Sequence, residues 1–221
     1  MEHNDFLNRV FDEGIKAATA DYTNPDDKHR LKPKRFELRM YFFVAHNLSS
    51  IQQGIQAGHA ALEYADKFGN DETFIDFVRN WKTWIILNGG TTNNKKDVNG
   101  IALGTLNQIA DELEDNEISY ACFHEPELNN ALTALCFIVD ERVFNYVDYP
   151  DFVNWLHDIK MTDEAKKEIK KKNPTFWLTL KLQPKTQQEM FPEYYKEWIE
   201  FFGGNKNVYL RELLKNKELI Q

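Results

Sequence analysis

The chain has 221 residues, 42% apolar and 14% aromatic, a composition that can build a folded core and excludes a wholly disordered chain. No apolar run reaches the roughly 18–20 residues that span a bilayer, and the first residues lack the basic start and apolar block of a signal peptide. We therefore expect a cytoplasmic protein that does not bind membranes. Its two cysteines, Cys122 and Cys136, are expected to be free thiols in a reducing compartment.

Charge is distributed unevenly along the chain. Residues 36–140 carry 15 acidic and 6 basic side chains, a net charge of −9, whereas residues 1–35 are neutral overall and residues 141–221 carry a net +1. Phosphate backbones are bound by clusters of Lys and Arg, so the acidic central segment is a poor general surface for nucleic acid.

The first 35 residues are predicted to form an N-terminal helix and a linker. Apolar residues at helical spacing indicate the helix: Phe6, Leu7, Val10, Phe11 and Ile15. Residues 21–34 are polar and contain two prolines, which is typical of a linker.

Residues 36–140 are predicted to form an α/β domain. Residues 36–46, FELRMYFFVAH, favour a buried strand, and a helix is expected from Ile51 to about Phe68. The apolar and small residues of this helix are expected to face the sheet, namely Ile55, Ala57, Gly58, Ala61, Leu62 and Ala65.

Two more helices and three more strands complete the predicted domain. A helix capped by Asn70 or Asp71 precedes a strand at residues 83–87, and a third helix is expected at about residues 101–114. Residues 118–123 and 132–139 indicate the last two strands, joined by the polar loop HEPELNNA. The order β-α-α-β-α-β-β predicts an α/β fold, a three-layer α/β/α domain with a four-stranded mixed sheet.

Residues 141–221 are predicted to form a mostly helical extension. Helices are expected at residues 150–160, 163–172, 186–202 and 208–220, and residues 176–182 fit either a strand or a helix. The stripe of Met190, Tyr194, Trp198 and Phe201 indicates core or homodimer packing. The lysines of residues 166–172 predict a solvated helix face, with contact to RNA or another partner as the alternative.

Residues 44–65, VAHNLSSIQQGIQAGHAALEYA, resemble the first strand and helix of peptidyl-tRNA hydrolases of the archaeal and eukaryotic type. The helix of that family reads roughly K-x-A-A-Q-x-x-H-A-A, and Gln56, His59, Ala60 and Ala61 match its second half. The segments TWIILNGG and ISYACFHEPELNNALTALCFIV match the later strands in position, so the resemblance covers roughly 100 residues. The wording E-P-x-L-N-N-x-L-T-A also resembles bacteriophage members of this fold, which would place the protein in a host cytoplasm.

The resemblance implies a hydrolase of the peptidyl-tRNA ester bond, with tRNA as partner and no metal or organic cofactor. Its catalytic residues would be His59, Glu125 (or Glu127) and Thr133, with Glu125 orienting or deprotonating a water. Its substrate-binding residues would be Asn47, Gln52, Gln56, Asn129 and Asn130. The chain also departs from the family, because the helix-opening lysine is Gln52, the turn aspartate is Asn47, and HEPELNN replaces D-A-G-R-T-Q.

Each candidate has a structural alternative. His59 fits a buried spacer on a tightly packed helix, the glutamines fit solvated or capping roles, and Glu125, Thr133 and the Asn pair fit turn or strand-start positions. Gly89 and Gly90 could form an anion-binding nest, although no Walker or dinucleotide fingerprint is present. His46, His59 and His124 match no metal-ligand spacing.

A second class of function stays open at this point. A bacteriophage-encoded binding protein could keep this fold, lack the lysine, and bind a host protein or a small-molecule ligand instead. Its acidic face and helical extension would then form the interface.

Overall fold

The computed structural model describes residues 35–219. The predicted helix and linker at the start of the chain therefore lie outside the described residues, except for Arg35. The fold is built on one four-stranded mixed sheet with strand order β2-β1-β4-β3. Helices cover both faces of the sheet, which confirms the predicted α/β/α architecture with a helical extension.

The strands are β1 (Leu38–Ala45), β2 (Thr83–Gly90), β3 (Tyr120–Glu125) and β4 (Ala131–Asp140). Strand β1 runs parallel to β2 and antiparallel to β4, and β4 runs antiparallel to β3. Every residue of β1 except Arg39 is buried. A central strand covered on both faces needs a continuous apolar run, which explains the segment LRMYFFVA.

The helices of one face are α1 (Ser50–Phe68) and α2 (Glu72–Asp76), which continues into a π-helical turn (Phe77–Trp81). The opposite face is covered by α3 (Thr105–Asp115) and by α10 (Asn205–Leu214), the last helix of the extension. The extension therefore contributes directly to the core of the sheet.

The face that α1 presents to the sheet was predicted only in part, because Ala57 is buried as expected but Ile55 and Leu62 are not. Its buried residues are Gln53, Gln56, Ala57, Ala60 and Tyr64, whereas Ile55 and Leu62 are 50% and 69% exposed. The amides of Gln53 and Gln56 hydrogen-bond to groups at the end of the sheet, so the helix turns these polar residues inward. The spacing of apolar residues does not indicate these hydrogen-bond partners, so it did not predict that Gln53 and Gln56 face inward.

A capping box fixes the start of α1. The Ser49 hydroxyl accepts from the backbone N–H of Gln52 at 3.4 Å, and the Gln52 side-chain oxygen accepts from the backbone N–H of Ser49 at 3.1 Å. These two bonds satisfy amide groups that the first helical turn leaves without partners.

Replacing Ser49 by alanine is expected to lower the free energy of unfolding by about 1 kcal/mol, because one helix-start amide loses its acceptor. The melting temperature should fall by about 2–4 °C. Ser50→Ala is the matched control, since Ser50 is the first helical residue and exposed. Equal melting temperatures for the two variants would show that the cap does not contribute.

Several predicted boundaries were wrong. Strand β2 continues through Gly89 and Gly90, because Ala45 pairs with Gly90 and a register shift accommodates the extra residue Gly89. Helix α3 begins at Thr105 rather than near Ile101, so Leu103 lies in the preceding loop and is 52% exposed. Strand β3 begins later and extends through Glu125, which shortens the loop before β4.

The extension is helical, and the run FWLTLKL is a helix rather than a strand. Its helices before α10 are α4 (Glu141–Phe144), α5 (Phe152–Trp155) with a π-helical turn (Leu156–Lys160), α6 (Asp163–Lys172), α7 (Phe176–Leu182), α8 (Pro184–Met190) and α9 (Pro192–Phe202). The single helix predicted for residues 186–202 is divided at Phe191, because Pro192 has no backbone N–H to continue the ladder. Met190 therefore lies on α8, whereas the other three residues of the predicted stripe lie on α9.

Arg211 of α10 bonds to several other segments of the extension. Its side chain is 1% exposed and donates to a carboxylate oxygen of Asp151 at 3.1 Å and to the carbonyl oxygens of Arg142 and Tyr149 at 2.7 and 2.8 Å. The guanidinium also lies 3.8 Å from the ring centroid of Tyr146. Burial lowers the pKa of Arg211, although a guanidinium stays charged in proteins. A buried charge therefore joins two backbone carbonyls, one carboxylate and one aromatic ring.

Within residues 35–219, no helix has the length and apolar character needed to cross a membrane.

Candidate functional site

Three polar residues meet where the first turns of α1 pass the β3–β4 hairpin. Phe123 pairs with Ala134 and His124 pairs with Leu132, so Thr133 is the extra residue of a β-bulge in β4. A bulge re-aims the side chains around it. Here it directs the Thr133 hydroxyl toward Gln56 of α1.

Gln56 links the other two residues through both ends of its amide. Its nitrogen donates to a carboxylate oxygen of Glu125 at 2.7 Å, and its oxygen accepts from the Thr133 hydroxyl. Gln56 and Thr133 are only 7% and 1% exposed, whereas Glu125 is half-buried. The Thr133 hydroxyl also lies 3.4 Å from the carbonyl oxygen of Phe123. The series from Thr133 through Gln56 to Glu125 ends on an ionisable group that solvent reaches.

The second carboxylate oxygen of Glu125 faces the hairpin turn. It accepts from the backbone N–H of Glu127 at 3.5 Å, where a 3₁₀ turn (Pro126–Leu128) begins. Asn129 and Asn130 follow with φ values of 54° and 55°. Asn tolerates this left-handed region better than most residues, so the turn accounts for both. Both are exposed and follow Glu125 closely in sequence.

His59 lies one turn beyond Gln56 on α1 but takes a different environment. Its ring stacks on Phe123 of β3, with centroids 4.5 Å apart and an interplanar angle of 19°. The side chain is half-buried. Among residues 35–219, the hydrogen bonds of Gln56, Glu125 and Thr133 do not include His59. The His59 ring therefore packs beside the cluster but takes no part in its hydrogen bonds.

The remaining predicted binding residues lie at the start of α1. Gln52 is exposed and its side-chain oxygen belongs to the Ser49 capping box, and Asn47 is exposed in the preceding turn. The sequence did not single out Gln53 as a site residue. Its buried amide donates to the carbonyl oxygen of Leu48 at 2.9 Å, which holds this turn against the helix.

Both thiols are unreactive in this environment. Burial raises the pKa of Cys122 to about 12, and burial followed by the neighbouring Cys122 raises that of Cys136 further. The Cys136 thiol donates to the carbonyl oxygen of Ala60 at 3.2 Å. Both cysteines are free, as predicted. A thiol with a raised pKa stays protonated near pH 7, so neither is a nucleophile.

The Gly89–Gly90 segment offers no open nest of amide groups. The N–H of Gly90 donates to the side chain of Asn88 at 2.8 Å, and the N–H of Thr91 donates to the hydroxyl of Thr105 at 2.8 Å. His46 approaches the carbonyl oxygen of Gly90 with its ring nitrogen at 2.9 Å. Within the described part of the chain, no three His, Cys, Asp or Glu side chains are grouped as metal ligands.

The hydrogen bonds from Gln56 and Glu127 hold the Glu125 carboxylate in a defined orientation at the end of the sheet. An ionised carboxylate accepts protons, and a fixed one can orient and deprotonate a bound water. Catalytic side chains on loops at the end of a rigid sheet are common in proteins. The cluster of Gln56, Glu125 and Thr133, bordered by His59, is therefore the candidate site.

Comparisons of the sequence with protein-family models and with curated proteins find no match.

Proposed function

We propose that the protein is an ester hydrolase of the peptidyl-tRNA hydrolase type, in which Glu125 is the general base. The hydrogen-bonded series from Thr133 through Gln56 to Glu125 is the observation that carries this proposal. Gln56, Glu125 and Thr133 come from three structural elements, α1, β3 and β4, within two stretches that the sequence resemblance covers. Their convergence on one carboxylate supports a common role.

The proposed reaction needs only water and the ester. Glu125 takes a proton from a water whose oxygen attacks the carbonyl carbon of the ester. The tetrahedral intermediate collapses with cleavage of the bond to the ribose 3′ oxygen, and the Glu125 carboxyl returns the proton to that leaving oxygen. The products are a peptide with a free carboxylate and a tRNA with a free 3′ hydroxyl.

The neighbouring residues act in different ways in this proposal. Gln56 and Thr133 are buried, so they position Glu125 rather than touch the substrate. Gln52, Asn47, Asn129 and Asn130 are exposed and can contact the substrate with amide groups. His59 limits the site on the side of Phe123.

Replacing Gln56 by leucine is expected to lower kcat by about 10–100-fold with little change in KM, because the carboxylate loses its orienting donor. Steady-state hydrolysis of N-acetyl-aminoacyl-tRNA would measure both constants. A change in KM alone would place Gln56 in contact with the substrate instead.

Gln53→Leu is the matched control for Gln56→Leu. Gln53 is buried to a similar extent one turn earlier on the same helix and also loses a hydrogen bond. We expect the two variants to lose comparable stability, while Gln53→Leu keeps kcat within about threefold of the wild type.

The proposal is tested by giving the purified protein N-acetyl-aminoacyl-tRNA and unblocked aminoacyl-tRNA. Release of the acyl group from the blocked substrate above the spontaneous rate is the expected result. Absence of release at a large excess of enzyme over substrate would reject the proposal and favour the second candidate function.

That second candidate is a catalytically inactive binding protein that uses the same fold. It is favoured by part-exposed large side chains on the extension, since Met190, Tyr194 and Phe201 are 49%, 41% and 37% exposed. A contiguous exposed apolar patch of more than a few hundred Å² would mark a surface that contacts a host protein or a small ligand.

A further inference from the structure

The extension carries a lysine-rich surface on an otherwise acidic protein. Residues 163–185 contain seven lysines and three acidic residues, whereas the chain has a net charge of −8. The exposed lysines of this segment that form no ion pair within residues 35–219 define what we call the basic surface: Lys167, Lys170, Lys171, Lys181 and Lys185.

Helix α6 orients three of these lysines together. Positions 167, 170 and 171 are three and four residues apart, so their side chains lie on one face of the helix. Lys166 and Lys172 pair instead with Asp163 and Glu168, at 3.4 and 2.6 Å. Among the ion pairs within residues 35–219, none involves Lys167, Lys170 or Lys171. Three positive charges are therefore left to face an external group.

The sheet domain cannot offer a comparable surface. Three of the six basic side chains in residues 36–140 are engaged, because Arg39 pairs with Glu37 at 2.7 Å, Lys96 pairs with Asp111 at 3.6 Å, and Lys67 donates to the carbonyl oxygen of Tyr120 at 3.3 Å. Fifteen acidic residues surround them. A polyanion is attracted to the extension and repelled by the sheet domain.

The exposed face of α6 fits a phosphate backbone better than a lipid surface. A helix that lies in a membrane interface presents an apolar face outward. In α6 the apolar residues Ala165 and Ile169 are turned inward and half-buried, and the outward residues are charged. Lysine clusters of this kind bind phosphates by releasing counterions.

We infer that the basic surface holds the phosphate backbone of RNA, specifically the tRNA part of the substrate. The inference rests on the proposed function for the identity of the RNA. It assigns chemistry and RNA binding to different parts of the chain: Glu125 to the ester, and the lysines of α6 to the tRNA.

The test is the binding of deacylated tRNA to the full chain, followed by fluorescence anisotropy at several salt concentrations. The variant Lys167→Gln/Lys170→Gln/Lys171→Gln keeps side chains that favour helix. We expect it to raise Kd by about 10-fold or more and to reduce the slope of log Kd against log salt by about 2–3, as for the loss of three phosphate contacts.

The matched control removes three exposed cations elsewhere, in the variant Arg79→Gln/Lys95→Gln/Lys196→Gln. Its net charge changes by the same amount, and we expect Kd within about threefold of the wild type. Equal weakening by both variants, or no tRNA binding by the wild type, would overturn the inference. Binding to phosphatidylserine vesicles that is lost in the α6 variant, without tRNA binding, would overturn it in favour of a membrane surface.

A small ester separates this inference from the proposed function. The 3′-(N-acetyl-aminoacyl) ester of adenosine has no phosphate, so its hydrolysis reports on the Glu125 site alone. The α6 variant is expected to hydrolyse it at the wild-type rate. Hydrolysis of this ester without tRNA binding would reject only the basic surface, whereas tRNA binding without hydrolysis of any ester would reject only the proposed reaction.

Discussion

Replacing Glu125 by glutamine is expected to lower the rate of ester hydrolysis by about 100-fold or more, the usual range for loss of a general base. Glutamine has nearly the same shape, and its single side-chain oxygen can still accept from the amide of Gln56, so that only the 3.5 Å bond from the backbone N–H of Glu127 is lost. The fold should therefore persist, and the loss should appear in kcat. Single-turnover release of the acyl group from N-acetyl-aminoacyl-tRNA measures the effect.

Glu127→Gln is the matched control for that measurement. Glu127 lies in the same turn, carries the same charge and is exposed. Its replacement should leave the rate within about threefold of the wild type. If Glu127→Gln lost activity and Glu125→Gln kept it, the two neighbouring carboxylates would have to exchange roles.

The largest expected effect on stability comes from Arg211. Its replacement by methionine should lower the free energy of unfolding by about 3 kcal/mol or more, because Asp151 and the carbonyl groups of Arg142 and Tyr149 lose a buried donor. For a chain of this size the melting temperature should fall by about 6–12 °C. Differential scanning calorimetry would measure it.

Lys215→Met is the control for Arg211→Met. Lys215 approaches the same Asp151 carboxylate at 3.6 Å, but its side chain is 41% exposed. Exposed ion pairs contribute about 0–1 kcal/mol, so the melting temperature should change by less than about 4 °C. Similar losses in both variants would mean that the carbonyl groups bonded by Arg211 do not matter.

The sequence predicted the order and type of the sheet-domain elements because these depend on local patterns. The β1 segment is apolar along nearly its whole length, and Ser49 and Asp71 are strong helix-start residues. A mixed sheet followed from the order of the strands and the helices between them. Such features are encoded within short windows of sequence.

Features that depend on contacts between residues far apart in the chain were harder to predict from the sequence. The face of α1 was predicted only in part, because Ala57 is buried as expected but the inward position of Gln56 depends on Glu125, which is far away in the chain. The bulge at Thr133 left no local signal such as glycine. The break before Pro192 was not predicted, although the sequence contains its signal, since proline cannot continue a helical hydrogen-bond ladder.

For the candidate site, the sequence predicted which residues lie together better than it predicted the role of each. Glu125, Thr133 and Gln56 converge, whereas His59 stacks on Phe123 outside their hydrogen bonds. Gln56 was predicted to contact the substrate, and in the structure its amide is buried and bonded to Thr133 and Glu125. Glutamines spaced three residues apart on a helix of small residues were the available signal for an inward polar face.

The most direct test of the proposed reaction is hydrolysis of N-acetyl-aminoacyl-tRNA in ¹⁸O-labelled water, with mass analysis of both products. Attack by a water that Glu125 activates predicts one labelled oxygen in the released carboxylate and none in the 3′ hydroxyl of the tRNA. Absence of acyl release, or label in the tRNA hydroxyl, would contradict the proposed mechanism.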